Sequence, residues 1–297
     1  MTARTRSLWL LHGVVVIFGF TGILGKLITL DAEPLVFWRV SLGGVSTALY
    51  LAWRREWRRW SPRDLVQAAA VGCIVAAHWV TFFAAIKASS VGLALTMLAT
   101  APLFIGFIEP LVFRRKLAWR ELLVASAVFV GIATVFQAER DQVDGMVLGL
   151  SSAALAALFS TFNGVLVKRL ESVNLSAVEL LSASAAMLVW LAFRGQAGPE
   201  LFAMSAMDWV WVAILAVVAT SFAFVVSIQV LKNLTPFESA MAINLEPLYA
   251  IVLAWWIFGE RFSPGFYLGA AVVLGAVFLD SWWRARTQST ANSEDAT

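Results

Sequence analysis

Charged residues in this chain gather into short clusters, and between the clusters lie ten apolar stretches of roughly 18 to 25 residues, at 8–30, 35–53, 65–88, 92–113, 120–137, 144–168, 176–193, 208–231, 236–257 and 263–283. A helix of about 20 apolar residues crosses the hydrocarbon core of a bilayer. No water is present there to satisfy the backbone, so such a series of stretches leaves little besides a bundle of spanning helices. The expected fold is an all-α membrane protein with ten transmembrane helices. Only 14% of the 297 residues are charged, against about a quarter in soluble domains, which excludes a large soluble catalytic domain. Cys73 has no second cysteine to pair with, so one chain holds neither a disulfide framework nor a thiolate metal site. With His12 and His78 the only histidines, no metal or cofactor is expected. Arg4 and Arg6 precede an apolar run that reaches about Leu30 with no cleavage-site pattern, so the first helix is expected to be retained rather than removed as a signal peptide.

Orientation follows from the basic residues. With a cytoplasmic N-terminus, sixteen Lys and Arg fall on the cytoplasmic side, including Arg54, Arg55, Arg58, Arg59, Arg63, Arg114, Arg115 and Lys116. Five fall on the other side (Lys26, Lys87, Arg140, Arg194 and Arg261), and Arg39 lies inside a span. That bias predicts both termini in the cytoplasm and explains the basic pI without nucleic acid as a partner. Tryptophan prefers the headgroup level, and thirteen of the fourteen fall at predicted span ends, among them Trp9, Trp38, Trp53, Trp209, Trp282 and Trp283. Trp79 lies mid-span beside His78, where a belt preference does not account for it.

The chain repeats itself. Phe20–Lys26 reads FTGILGK and Phe162–Lys168 reads FNGVLVK, 142 residues apart, while Lys87–Pro102 and Lys232–Pro247 match at a separation of 145. Each half therefore carries five spans in the same order: residues 1–137 and 144–283, with 284–297 expected as a disordered tail. Five is odd, so the second half enters the membrane from the opposite side, giving an inverted repeat with a pseudo-two-fold axis in the membrane plane. Two such bundles support alternating access around a midplane site, although a duplicated five-helix unit also serves a purely structural role.

Within the spans, polar residues are rare enough to weigh singly. Pro102 and Pro247 occupy equivalent mid-span positions, where each removes a backbone donor and kinks its helix; the freed carbonyls either line a polar cavity or are absorbed by packing. A carboxylate in hydrocarbon is costly, and Glu246 lies near the centre of the ninth span, so it requires a protein partner, a wet cavity or a proton. Glu109, Glu179, Glu238 and Asp280 are expected near span ends, within reach of the interface. His78 shares the depth of Glu246, with Trp79 beside it and Phe82 one turn on; it serves either as a buried histidine bonded to a backbone carbonyl or as the polar group of an aromatic pocket. Snorkelling accounts for Lys26 and Lys168. Arg39, about one turn deep, is expected to pair with Asp31 or Glu33, or with a solute carboxylate. No G-x-x-x-x-G-K-[ST], H-E-x-x-H or G-x-S-x-G pattern occurs, so neither nucleotide hydrolysis nor these hydrolase chemistries are available.

The stretches NLEPLYAIVLAWWIFGE at Asn244–Glu260 and HWVTFFAAIK at His78–Lys87 resemble the EamA-type transporters of the drug/metabolite transporter superfamily, and the resemblance extends over nearly the whole chain as two five-helix units. It implies ten helices, cytoplasmic termini, a central cavity between the halves and frequent export of amino acids or other small metabolites. The first half departs from the pattern, with Ala101 and Arg114-Arg115 where the second has Glu246 and Gly259-Glu260.

The resulting expectation is a multi-pass secondary transporter of the cell inner membrane, a monomer or homodimer, that moves a small organic solute outward. Its midplane cavity is lined by His78, Trp79, Phe82, Asn163, Glu246 and Tyr249, and no residue is assigned a catalytic role. The alternative is a polytopic membrane enzyme acting on a lipid-linked substrate.

Overall fold

The computed structural model describes residues 2–113, 119–276 and 278–279, and among these no strand occurs. The first half comprises α1 (Ala3–Leu27), α2 (Ala32–Arg54), α3 (Pro62–Ala88), α4 (Val91–Leu98), α5 (Ala101–Phe113) and α6 (Trp119–Ala138). The second comprises α7 (Val143–Leu166), α8 (Ser172–Phe193), α9 (Ala206–Ala216), a π-helical segment (Val217–Phe222), α10 (Ala223–Val230), α11 (Pro236–Ile243), α12 (Glu246–Phe258) and α13 (Pro264–Ala276). Among the described residues, eight helical stretches are long and apolar enough to cross a membrane; Leu123–Ala138 and Pro264–Ala276 are shorter apolar helices at the fifth and tenth expected positions. Arg114–Lys116, Asp280, Trp282, Trp283 and the expected tail lie outside the described residues.

Local sequence sets the helix ends. Ser61 precedes Pro62 and accepts from the Asp64 amide; Thr235 precedes Pro236 and forms a reciprocal capping box with Glu238. Proline at the first helical position surrenders only a donor that lacks an intrahelical partner anyway, and the capping hydroxyl satisfies another. Gly259 closes α12 in the left-handed conformation (φ 65°), which a residue without Cβ adopts freely. Asp208, in the first turn of α9, also accepts from the Thr29 amide (2.8 Å) and hydroxyl (2.7 Å), tying the α1–α2 connection to the second half.

The expected mid-span proline kinks take another form. The fourth span breaks between α4 and α5 at Ala99–Thr100, and the ninth between α11 and α12 at Asn244–Leu245. Pro102 and Pro247 are therefore second residues of new helices rather than interior kinks, and the ring disrupts no established helical turn there. The carbonyl of Ala99, left at the end of α4, accepts from Asn244 Nδ2 at 2.8 Å, so a side chain at the second break satisfies a backbone group of the first.

Packing follows the repeat. Helix α2 packs on its counterpart α8, and the extensive α3–α7 contact is mirrored by that of α1 with α9 and α10. Ser41 and Ser184 (2.6 Å) join the counterpart helices α2 and α8. Two contacts join equivalent residues directly: Trp79 to Phe224 (edge-to-face, 5.5 Å between centroids) and Asn244 to Ala99. Both separations, 145 residues, reproduce the repeat offset. An exchange operation brings equivalent residues together only near its axis, so these contacts trace that axis through the molecule. The helices α6 and α13 also meet closely: a Cβ built on Gly131 lies 2.9 Å from the Gly269 carbonyl oxygen, and one on Gly269 lies 2.7 Å from that of Gly131. Two glycines allow backbones to approach where side chains would separate them.

Candidate functional site

A cavity opens where the axis contacts are. With about 1010 Å³ of atom-free space, part of it continuous with the outside, it has Trp79, Phe224, Ala99 and Asn244 in its wall. Both helix breaks border it, through Ala99 and Ala101 on one side and Asn244, Glu246 and Pro247 on the other. Broken helices are the means by which a membrane bundle brings polar backbone to a cavity without exposing it to lipid.

Of the residues expected at the site, His78, Trp79, Phe82, Asn163 and Glu246 line the cavity, as does Pro247. Pro102 is buried behind the wall. Tyr249 does not line the cavity: it is 47% exposed, and its Cβ lies against Gly19 of α1. The helix carrying Glu246 begins at that residue, and three positions on its side chains have turned toward the outer surface.

Each wall residue has a physical anchor. His78 Nδ1 lies 3.0 Å from the Ser152 carbonyl oxygen and 2.8 Å from its hydroxyl, which also donates to the His78 carbonyl. The backbone-bonded histidine and the cavity-lining one are thus the same residue, and its ring is flanked by Phe82 and Phe159. Glu246 is 5% exposed and occupies the first turn of α12, where unpaired amides give a helix its partial positive charge; its carboxylate forms no hydrogen bond or ion pair among the described residues. Asn163 donates from Nδ2 to Glu179 Oε2 at 3.2 Å, leaving Oδ1 without a donor.

Arg39 is the wall residue that the sequence assigned elsewhere. It pairs with neither Asp31 nor Glu33; it is 1% exposed and faces the cavity. Its guanidinium carbon lies 3.9 Å from the centroid of the Trp79 ring, which explains why one tryptophan is mid-span: an indole face offsets part of the desolvation of a buried cation. Nε donates to Thr220 Oγ1 at 2.7 Å. Thr220 stands in the π-helical segment and donates to the Leu215 carbonyl five residues back, and such bulges recur at functional sites because they redirect backbone groups. Arg39 Nη1 has no hydrogen-bond acceptor. It is not within ion-pair distance of Glu246, so the two opposite charges attract each other across the cavity without a direct contact.

Several other expectations are corrected. Lys26 does not simply snorkel: its Nζ pairs with Glu260 at 2.5 Å, and the Glu260 carboxylate also accepts from the amides of Val91 and Gly92 at the start of α4. Lys168 Nζ donates to the carbonyls of Leu231 and Lys232, both at 2.8 Å. Glu179 does not reach an interface but is fully buried. The span that carries it begins at Ser172 rather than near 176, and Ser172, Asn174 and Ser176 are themselves buried, so the first turn of α8 lies inside the bundle.

Comparison with known proteins agrees with this architecture. Two segments of the chain, residues 5–137 and 144–282, each match the EamA-like transporter family. Over 269 residues the chain is 24% identical to YxxF, an uncharacterized transporter of Bacillus subtilis, covering 88% of this chain and 84% of that one. It is 21% identical to a second uncharacterized transporter of that organism, YoaV, over 92% of this chain and 96% of the other. An uncharacterized transporter of Archaeoglobus fulgidus is 23% identical over 69% of this chain and 71% of its own. A solved crystal structure superposes with a TM-score of 0.70 over 96% of this chain and all of the other at 14% identity, which establishes a shared fold. With the family matched in both halves and a multi-pass helical architecture around one cavity, the chain belongs to the EamA-like transporter family.

Proposed function

We propose that this family member is a secondary exporter of zwitterionic small metabolites, amino acids with apolar side chains foremost, working by alternating access in the cell inner membrane. The observation that carries the reading is the pair of buried, mutually unpaired charges in one cavity: Arg39 with a free N–H, and Glu246 with no donor. An α-amino acid presents a carboxylate and an ammonium group together, and each finds its opposite there without leaving a buried charge uncompensated. Trp79, Phe82 and Phe159 supply faces for an apolar side chain, and His78 and Asn163 the remaining polar contacts.

In this reading the ten helices span the membrane as two inverted five-helix repeats with cytoplasmic termini. The 16-to-5 distribution of basic residues supports the orientation, and the contacts between equivalent residues support an axis through the cavity. Halves of like structure and opposite sense exchange conformations at small net cost, opening the cavity to one side and then the other. Export rather than import rests on the family resemblance. The absence of a phosphate-binding loop points to a gradient as the driving force.

Counterflow in proteoliposomes tests the proposal. Vesicles preloaded with unlabelled phenylalanine are expected to accumulate labelled phenylalanine transiently, whereas phenethylamine, which lacks the carboxylate, is not expected to compete. Competition by phenethylamine equal to that of phenylalanine removes the role of Arg39. Chemical conversion of a lipid-linked substrate without exchange favours the enzymatic alternative.

A further inference from the structure

Among the buried acids outside the Arg39–Glu246 pair, Glu179 is the most deeply enclosed. Glu179 on α8 is 0% exposed, and only Oε2 has a hydrogen-bond donor, the amide Nδ2 of Asn163; Oε1 has none, and neither has Oδ1 of the same asparagine. Two orphaned acceptors on two side chains already joined by one bond have a simple common remedy. A carboxylic acid and a primary amide form a cyclic pair with two hydrogen bonds, N–H to the acid carbonyl and acid O–H to the amide oxygen. The first of these is present, and a proton on Oε1 supplies the donor for the second.

The surroundings offer no substitute for that proton. Gly72 of α3 packs directly on the Glu179 backbone, where a Cβ would strike its carbonyl oxygen, so α3 closes over this turn of α8. The helices packed on α8 are α2, α3 and α10, and Asn163 comes from α7. On α2, Arg39 is engaged by Thr220 and Trp79. On α3, His78 is held by Ser152, Lys87 donates to the Ile28 carbonyl, and Asp64 pairs with Arg169. The remaining charged residues of these helices, Glu33, Arg54, Arg63 and Asp144, stand in terminal turns, and α10 carries none. No cation contacts the Glu179 carboxyl among the described residues, and an ionised carboxylate buried without one is strongly disfavoured.

We infer that Glu179 and Asn163 form a proton-binding site that couples solute movement to a proton gradient, a deepening that rests on the transporter reading above. Asn163 is the shared element, since it lines the cavity and holds Glu179 at once. A solute whose ammonium group engages the Asn163 amide oxygen removes the acceptor of the Glu179 O–H. That bond then breaks, the proton passes to cavity water, and a carboxylate remains on Glu179 with the solute cation nearby. Reprotonation follows when the solute has left toward the other side. One proton is exchanged for one solute.

Infrared spectroscopy of the full-length protein in lipid tests the site without any solute. A carbonyl stretch of an un-ionised carboxyl group is expected at neutral pH, lost in Glu179→Gln and retained in Glu246→Gln. Persistence of the full signal in Glu179→Gln overturns the proposal. In the wild-type background, Asn163→Ala is expected to shift the frequency of that signal, and an unmoved band equally overturns the pair. Transport supplies the second arm: a gradient of one pH unit, worth up to about tenfold in accumulation for one coupled proton, is expected to raise labelled phenylalanine uptake by wild-type proteoliposomes. In Glu179→Gln the ratio of driven to undriven uptake is expected to fall to about 1. A wild-type ratio of 1 with counterflow intact overturns coupling and leaves the transporter reading standing. Absent wild-type counterflow overturns the solute reading and the coupling built on it, while the infrared assignment stands or falls separately.

Discussion

The two halves of the cavity wall come from equivalent backbone positions and carry different chemistry. Thr21 corresponds to Asn163, Trp79 to Phe224, Phe82 to Ser227, Ala99 to Asn244 and Ala101 to Glu246, and all ten line the cavity. The amides and the Glu246 carboxylate lie in the second half, while the larger aromatic surface and Arg39 lie in the first; the second half carries Glu179 at the Arg39 position, since both ends of α2 and α8 correspond at a separation of 140 residues. Repetition thus supplies the architecture, and divergence supplies the binding chemistry. Polar groups placed symmetrically would set like charge against like at the axis. In the proposed cycle, Arg39 and Glu246, split between halves, leave room for a ligand that carries both signs, and relative movement of the halves would change the distance between the two charges. A solute that bridges them would then bind well in some arrangements and poorly in others, as release on the far side demands.

The sharpest way to break this comparison is to remove the charge that one half alone provides. Arg39→Ala is expected to weaken phenylalanine binding by about 2–5 kcal/mol, at least 30-fold, because it leaves a buried carboxylate without its partner; Ser182→Ala, on the counterpart helix and bonded only within it, is expected to change affinity little. Equilibrium binding to the purified protein checks both, and comparable losses would mean that the Arg39 charge does not distinguish the halves. Next in size is the close approach of α6 and α13. Gly269→Val puts a branched side chain against the Gly131 carbonyl oxygen and is expected to destabilise the protein by about 1–3 kcal/mol, read as a lowered Tm in detergent. Asn244→Ala strands the Ala99 carbonyl at the helix break and is expected to cost about 1–3 kcal/mol in the same assay, whereas Thr100→Ala, on the opposite break, removes a hydroxyl that bonds only within its own turn and is expected to cost less. The smallest effect belongs to the hydrogen bond of Ser41 and Ser184 between α2 and α8. A double-mutant cycle with alanine is expected to give a coupling energy of about 0.5–1.5 kcal/mol, and a value of zero would show that the pair touches without contributing to the junction of the halves.

Much of the wall was legible before the structure. Glu246, His78, Trp79, Phe82 and Asn163 stand out in the sequence because polar or mid-span aromatic residues in an apolar segment are few and each requires a reason. What escaped depends on helix phase and on where a helix starts. Arg39 was assigned to Asp31 and Glu33 because those acids are near in sequence, yet a helix separates residues that are close in number onto different faces, and its partners came from the π-helical segment 180 residues on. Glu179 was placed near an interface by counting from a span end set four residues too late. Tyr249, one turn from Glu246 by number, points outward because the helix break resets which face the following residues present. Phe159 and Phe224 carry no signal at all, since an aromatic residue in an apolar run looks the same whether it meets lipid, core or cavity.

By itself, the sequence determined that this chain is a helical membrane protein made of two related halves, because hydrophobic run length and internal repetition are local properties that survive without knowledge of contacts. The tertiary structure decided which faces turn inward, that prolines begin new helices rather than bend old ones, and which buried charges find partners. Those are matters of distance between segments far apart in the chain, and a buried polar group declares its cost only when its neighbours are in place.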